Sequence, residues 1–223
     1  MQRRPAAEGA KSGEGGEPAL LGRAAAGDRQ ALGELLAGHR DRLVRMVCVR
    51  LDPRLKGRLD PEDVLQEIHC EATRRLPEHL ADPRLPFFLW LRLLAGQTLA
   101  GLHRHHLGVQ ARDARREEHR PAGLGPEAAS VSLADRFVGD LTSPSQAAVR
   151  GERRARVEAA LDALEPLDRE VLVLRHFEAL ENDEAAAILG VTAAAARKRY
   201  FRALTRLRGV LEGMGAGPSD CAP

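Results

Sequence analysis

The residues best suited to chemistry lie near the C-terminus. The segment from Thr192 to Leu211 reads as one helix carrying Arg197, Lys198, Arg199, Arg202, Arg206 and Arg208 with no acidic residue. Just before it, from Glu152 to Gly190, ten acidic residues face five arginines, so charge is polarised onto one element although the chain as a whole carries only +2. A basic helix gains affinity for a polyanion by displacing condensed counterions, and that gain follows local rather than total charge. Gly190 ends one short amphipathic helix and Thr192 caps the next. A turn of this kind sets the second helix roughly perpendicular to the first, the geometry that projects a recognition helix into a major groove.

Other chemistries are poorly served. Cys48, Cys70 and Cys221 are isolated and lack the paired spacing of a zinc site or a disulfide framework. His103, His105 and His106 flank Arg104, but neighbouring positions on a helix point in different directions and no ligand lies at suitable spacing, so no metal is expected. Neither a nucleophile elbow, a Walker loop nor a paired acid and base occurs, and no enzymatic activity or cofactor is expected. No stretch is apolar enough to span a bilayer, so no membrane insertion is expected and a cytoplasmic protein is.

The elements that must position the basic helix are themselves helical. Helix formers dominate, and β-branched and aromatic residues are few, which predicts an all-α chain of two small domains joined by a flexible linker. Residues 1–17 and 212–223 are rich in glycine and polar residues and are expected to be disordered; Pro121, Gly123, Gly125, Pro126, Gly139 and Pro144 place a linker over 107–146. The first domain then covers 18–106. Leu32, Leu35, Leu36, Leu43, Met46 and Val47 mark a long helix, and Asp60 caps a second whose buried stripe is Leu65, Ile68, Ala72 and Leu76. A third runs from Pro86 to about His106 with Phe87, Trp90, Leu91 and Leu94 inward. The second domain, 147–211, holds four helices, the last two forming the helix-turn-helix, with Tyr200, Leu204, Leu207 and Leu211 on the inner face of the final one.

Two segments in this order, DPEDVLQEIHCEA with PFFLWLRLLAGQTLAGLHRHH and LEPLDREVLVLRHFEALENDEAAAILGVTAAAARKRYFRALTRLR, resemble regions two and four of a bacterial RNA polymerase sigma factor of the extracytoplasmic-function type. The resemblance covers about Ala31 to Leu211. It implies a protein that binds core RNA polymerase and directs promoter-specific initiation, with promoter DNA as second partner and, as for many members, an anti-sigma protein. It implies polymerase contact through Asp63, Gln66 and Glu67, minus-ten DNA contact through Phe88, Arg92, Gln97, His103 and Arg104, and minus-thirty-five contact through Thr192, Arg197, Lys198, Arg199 and Arg202. Gly96 and Gly101 depart from the family, which commonly has a basic and an acidic residue there.

From the residues alone, two other readings stand. One is a free-standing helix-turn-helix regulator whose first domain senses a signal or dimerises. The other is an interaction protein whose basic helix binds RNA or an acidic partner. For residues 193–196, all alanine, the sequence predicts contact with the DNA backbone and shape rather than bidentate base readout.

Overall fold

The computed structural model describes residues 16–107, 125–138 and 147–214. Most of the termini expected to be disordered and most of the expected linker fall outside these residues, but Glu17 opens a helix and the last helix runs on to Gly213, so the expected disorder does not hold there. Within them the chain is helical, with no strand.

The first unit contains α1 (Glu17–Ala25), α2 (Arg29–Arg50), α3 (Pro61–Ala81) and α4 (Phe87–Leu107). A break at Gly27 separates α1 from α2, and the Asp28 carboxylate opens α2 by accepting from the Gln30 and Ala31 amides at 2.9 and 3.1 Å. Asp60 caps α3 as the sequence predicts, accepting from Glu62 N at 2.8 Å with Pro61 at the first helical position. Two orphan amides are thereby satisfied at the start of α2 and one at the start of α3, where Pro61 has none to leave unpaired. The stripe Leu65, Ile68, Ala72 and Leu76 is buried against α2 and α4.

A further helix, α5 (Ser130–Val138), stands inside the stretch expected to be linker. Its Leu133 and Ala134 are buried and it packs against α6 (Ala147–Asp162), so the Pro- and Gly-rich stretch is interrupted by an ordered element. Just before it, Gly125 lies against α4. A Cβ on Gly96 would lie 2.9 Å from Gly125 Cα, closer than real atoms allow, so the family's larger residue is excluded where this backbone crosses.

The second unit continues with α7 (Pro166–Leu172), which widens into a π-helical turn over Val173–Phe177, then α8 (Asn182–Leu189) and α9 (Ala193–Gly213). Gly190 ends α8 with φ 66°, a left-handed value that glycine adopts at little cost, and Thr192 Oγ1 starts α9 by accepting from Ala195 N at 3.2 Å. On α9 the buried residues are Ala196, Ala203, Leu207 and Leu211, while Tyr200 and Leu204 are only partly covered. The two units share one continuous apolar core rather than enclosing one each.

Candidate nucleic-acid interface

The outward face of α9 forms the site. Ala196, Ala203 and Leu207 fix the helix on its inner side, so Arg197, Lys198, Phe201, Thr205 and Arg208 face water. Phe201 is 60% exposed, an apolar ring set among cations. Arg197, Lys198 and Arg208 make no ion pair among the described residues. A row of uncompensated cations on a projecting helix is what phosphate recognition requires, since each neutralised phosphate releases counterions.

The other arginines of α9 are arranged differently. One buried carboxylate, Asp168 on α7, accepts from Arg199 Nη1 and Arg202 Nη2, both at 2.9 Å, with Arg206 Nη1 at 3.8 Å. This bond raises the Arg202 guanidinium still further above its usual range. Arg199 is half-buried, whereas Arg202 keeps 57% of its side chain exposed and retains free donor capacity toward a phosphate. Sequence reasoning counted Asp168 only as part of an acidic segment. Its anchoring role depends on α7 and α9 packing together, which no local pattern announces.

The residues of α3 and α4 divide. Asp63, Gln66 and Glu67 are exposed along one side of α3 and, with Gln97, Gly101 and His105 of α4, line an open groove of about 850 Å³. Gln97 Oε1 accepts from Arg75 Nη1 at 2.9 Å, and Arg104 is also exposed. Phe88, Arg92 and His103, read from the sequence as DNA-facing, have buried side chains in this conformation. Phe88 lies beneath Arg42, whose guanidinium carbon is 3.5 Å from the ring centre. His103 Nε2 accepts from Asp52 N at 3.2 Å, and burial pushes its imidazole pKa down.

Arg92 belongs to a buried ionic cluster between the two units. Its Nε and Nη2 donate to Glu178 Oε2 and Oε1 at 2.7 and 3.1 Å; Arg50 Nε donates to Oε1 of the same carboxylate at 2.5 Å, Arg50 Nη2 to Glu170, and Arg50 Nη1 to Pro126 O at 2.8 Å. The four side chains are at most 5% exposed. Burial would raise the Glu178 carboxyl, but the fields of Arg50 and Arg92 outweigh it and hold the group below its ordinary range. At the rim, Arg42 Nη2 donates to both Glu184 oxygens at 2.7 and 2.6 Å.

A family model described as Sigma-70, region 4 matches residues 154–207, spanning α7, α8 and most of α9. The ECF RNA polymerase sigma factor SigD of Mycobacterium tuberculosis is 31% identical over 190 residues, covering 85% of this chain and 81% of the relative. ShbA of Streptomyces griseus, also an ECF RNA polymerase sigma factor, is 32% identical over 200 residues, covering 87% and 94%. Among solved structures, CnrH in complex with the cytosolic domain of CnrY superposes with a TM-score of 0.52 at 26% identity, covering 88% of this chain and 97% of that one. The basic helix-turn-helix and the helical unit preceding it thus find their counterparts together and in the same order, and the chain belongs to the ECF family of RNA polymerase sigma factors.

Proposed function

We propose that this sigma factor binds core RNA polymerase through its first unit and places it at promoters through its last helix. The observation that carries the DNA half is the uncompensated outward row Arg197, Lys198 and Arg208 on α9. Thr192 at the helix start presents backbone amides to a minus-thirty-five phosphate, and Arg199 and Arg202, held by Asp168, reach the flanking backbone. With Ala193, Ala194 and Ala195 at the leading end, recognition rests on backbone and shape more than on bidentate base contacts.

The polymerase contact falls on Asp63, Gln66 and Glu67, whose exposed polar face is continuous with the groove against α4. Gln97 and Arg104 are the accessible minus-ten contacts; Arg92 joins them only where the two units separate, and Phe88 and His103, covered by Arg42 and Asp52 of their own unit, only where the first unit itself rearranges. The division into modules over 18–106 and 147–211 with a tether between them suits two modest grips that add by effective concentration. An anti-sigma partner, like the CnrY domain on CnrH, is part of the same proposal. A cytoplasmic site of action follows from a polymerase partner; among the described residues no helix is long and apolar enough to cross a membrane.

Run-off transcription with purified core enzyme on a pool of genomic fragments tests this reading. Defined start sites that depend on the added chain support it. Stable dimers on a palindromic duplex, with no dependence on polymerase, would replace it with the free-standing regulator.

A further inference from the structure

We propose that Asp168 is a positioning residue that sets promoter specificity: its carboxylate stands in for a phosphate, aiming Arg199, Arg202 and Arg206 at the backbone of the correct minus-thirty-five duplex and holding them back from any other. The inference rests on the sigma-factor reading above and deepens its account of α9. Three observations converge on it. Asp168 is fully buried, yet the arginines it gathers follow one another at intervals of three and four residues along one flank of α9, where Arg202 and Arg206 keep about half of their side chains exposed. Both short bonds fall on one oxygen, Oδ1; the other, Oδ2, is buried without a hydrogen bond among the described residues, 3.8 Å from Arg206 Nη1. The carboxylate cannot follow the arginines if they move, because the next residue, Arg169, fixes the start of α7 by donating to Ala128 O and to Asp162.

The makeup of α9 creates the need for such a device. At its leading end Ala193, Ala194 and Ala195 have no side chain that can hydrogen-bond a base edge, and most of the side chains that the helix turns outward are cations. Phosphate contacts carry sequence information only through the positions at which a given duplex holds its phosphates. Arginines free to swivel find a phosphate on any duplex and read nothing. A carboxylate engages guanidinium groups as a phosphate does, so arginines pinned by one offer their remaining N–H groups in set directions and lose less rotamer freedom on binding.

The same carboxylate penalises misplaced contacts. A phosphate lying where the free donors point is bound with Asp168 still paired. One lying elsewhere takes the guanidinium only by pulling it from Asp168, and a buried carboxylate stripped of its partners is strongly unfavourable. Asp168 thus subtracts one charge from non-specific attraction while leaving the matched contact intact, which widens the ratio between the two. Arg197, Lys198 and Arg208, which make no ion pair among the described residues, pass no such filter and contribute to every duplex alike.

Holoenzyme assembled from the full chain and core polymerase provides the test, on a promoter fragment obtained by run-off transcription and on the same fragment with its minus-thirty-five element scrambled. Asp168→Asn keeps the size of the side chain and removes its charge. It is expected to tighten binding to the scrambled fragment at least threefold and to lower the ratio of promoter to scrambled affinity at least fivefold. The slope of log affinity against log salt on the scrambled fragment should steepen by about 1. A merely structural role would weaken both fragments alike. If circular dichroism shows that this variant does not fold, Arg202→Gln is compared with Arg197→Ala: the first is expected to weaken promoter binding about tenfold and scrambled binding less than threefold, the second to weaken both by one factor. A ratio that stays the same or rises with Asp168→Asn, or an equal loss on both fragments with Arg202→Gln, overturns the role of Asp168 and leaves the sigma reading intact. No holoenzyme, or no start site from the wild type, overturns the sigma reading and this inference with it.

Discussion

Helices α4 and α9 are both read from the sequence as facing DNA, α9 from its local charge and α4 from the family resemblance, yet they present themselves in opposite ways. On α9 Arg197 and Lys198 face water and Phe201 is exposed; on α4 Arg92 and Phe88 are buried beneath residues of other elements. Residue type specifies what a side chain can bind, whereas its neighbours in space decide whether it is available. In the proposed function an exposed cation on α9 adds to affinity for DNA, whereas Arg92 on α4 is spent on a buried carboxylate.

Substitution of one arginine on each helix should separate these roles. Arg92→Met leaves Glu178 buried with a single cation, and losing one partner of a buried pair costs about 3–5 kcal/mol. Thermal unfolding should show a marked drop in midpoint or a split into two transitions, and an unchanged single transition would mean the cluster contributes nothing. Arg197→Ala should leave the midpoint within experimental scatter while lowering the slope of log affinity against log salt by about 1. A normal slope would remove Arg197 from the DNA interface.

Smaller effects sharpen the contrast. Relieving the left-handed Ala179 by Ala179→Gly should stabilise the second unit by about 1 kcal/mol, read from urea unfolding. Thr192→Ala removes the acceptor for Ala195 N and should cost about 1 kcal/mol, with the loss confined to α9. The mildest effect concerns pH. Burial lowers the imidazole pKa of His39, His69, His79 and His103 in the first unit, and in the second of His176. Each is neutral when folded and protonates more readily when unfolded, so its contribution is full above the ordinary histidine pKa of about 6.5 and is lost as pH falls below it. Melting at pH 7.5 and 5.5 should show a loss on acidification, reduced by His103→Gln; a rise on acidification would reverse the sign.

Much of this was legible in the sequence because it depends on residues close together in it. The cap at Asp60, the stripe through Leu65 and Leu76, the turn at Gly190 and the cap at Thr192 all follow from local spacing, and each stands where it was expected. The placement of Arg92 and Phe88 was not legible, since what covers them comes from α2 and from a carboxylate far along the chain. Helical periodicity identified the inner side of α4 but could not show that a polar partner would meet Arg92 there. The helix at Ser130–Val138 escaped notice because flanking glycines and prolines dominate its window, and its stability derives from α6.

The order in which the chain is made gives the ionic cluster one more consequence. Glu178 lies 71 residues beyond Leu107, where α4 ends, so at ribosomal rates of about 5–20 residues per second the first unit spends about 4–14 s complete but without its last counter-charge. During that interval two arginines destined for the interior are exposed on the nascent polypeptide. The newborn protein therefore passes through an open stage on every round of synthesis, and whatever meets it then encounters a surface that the finished molecule conceals.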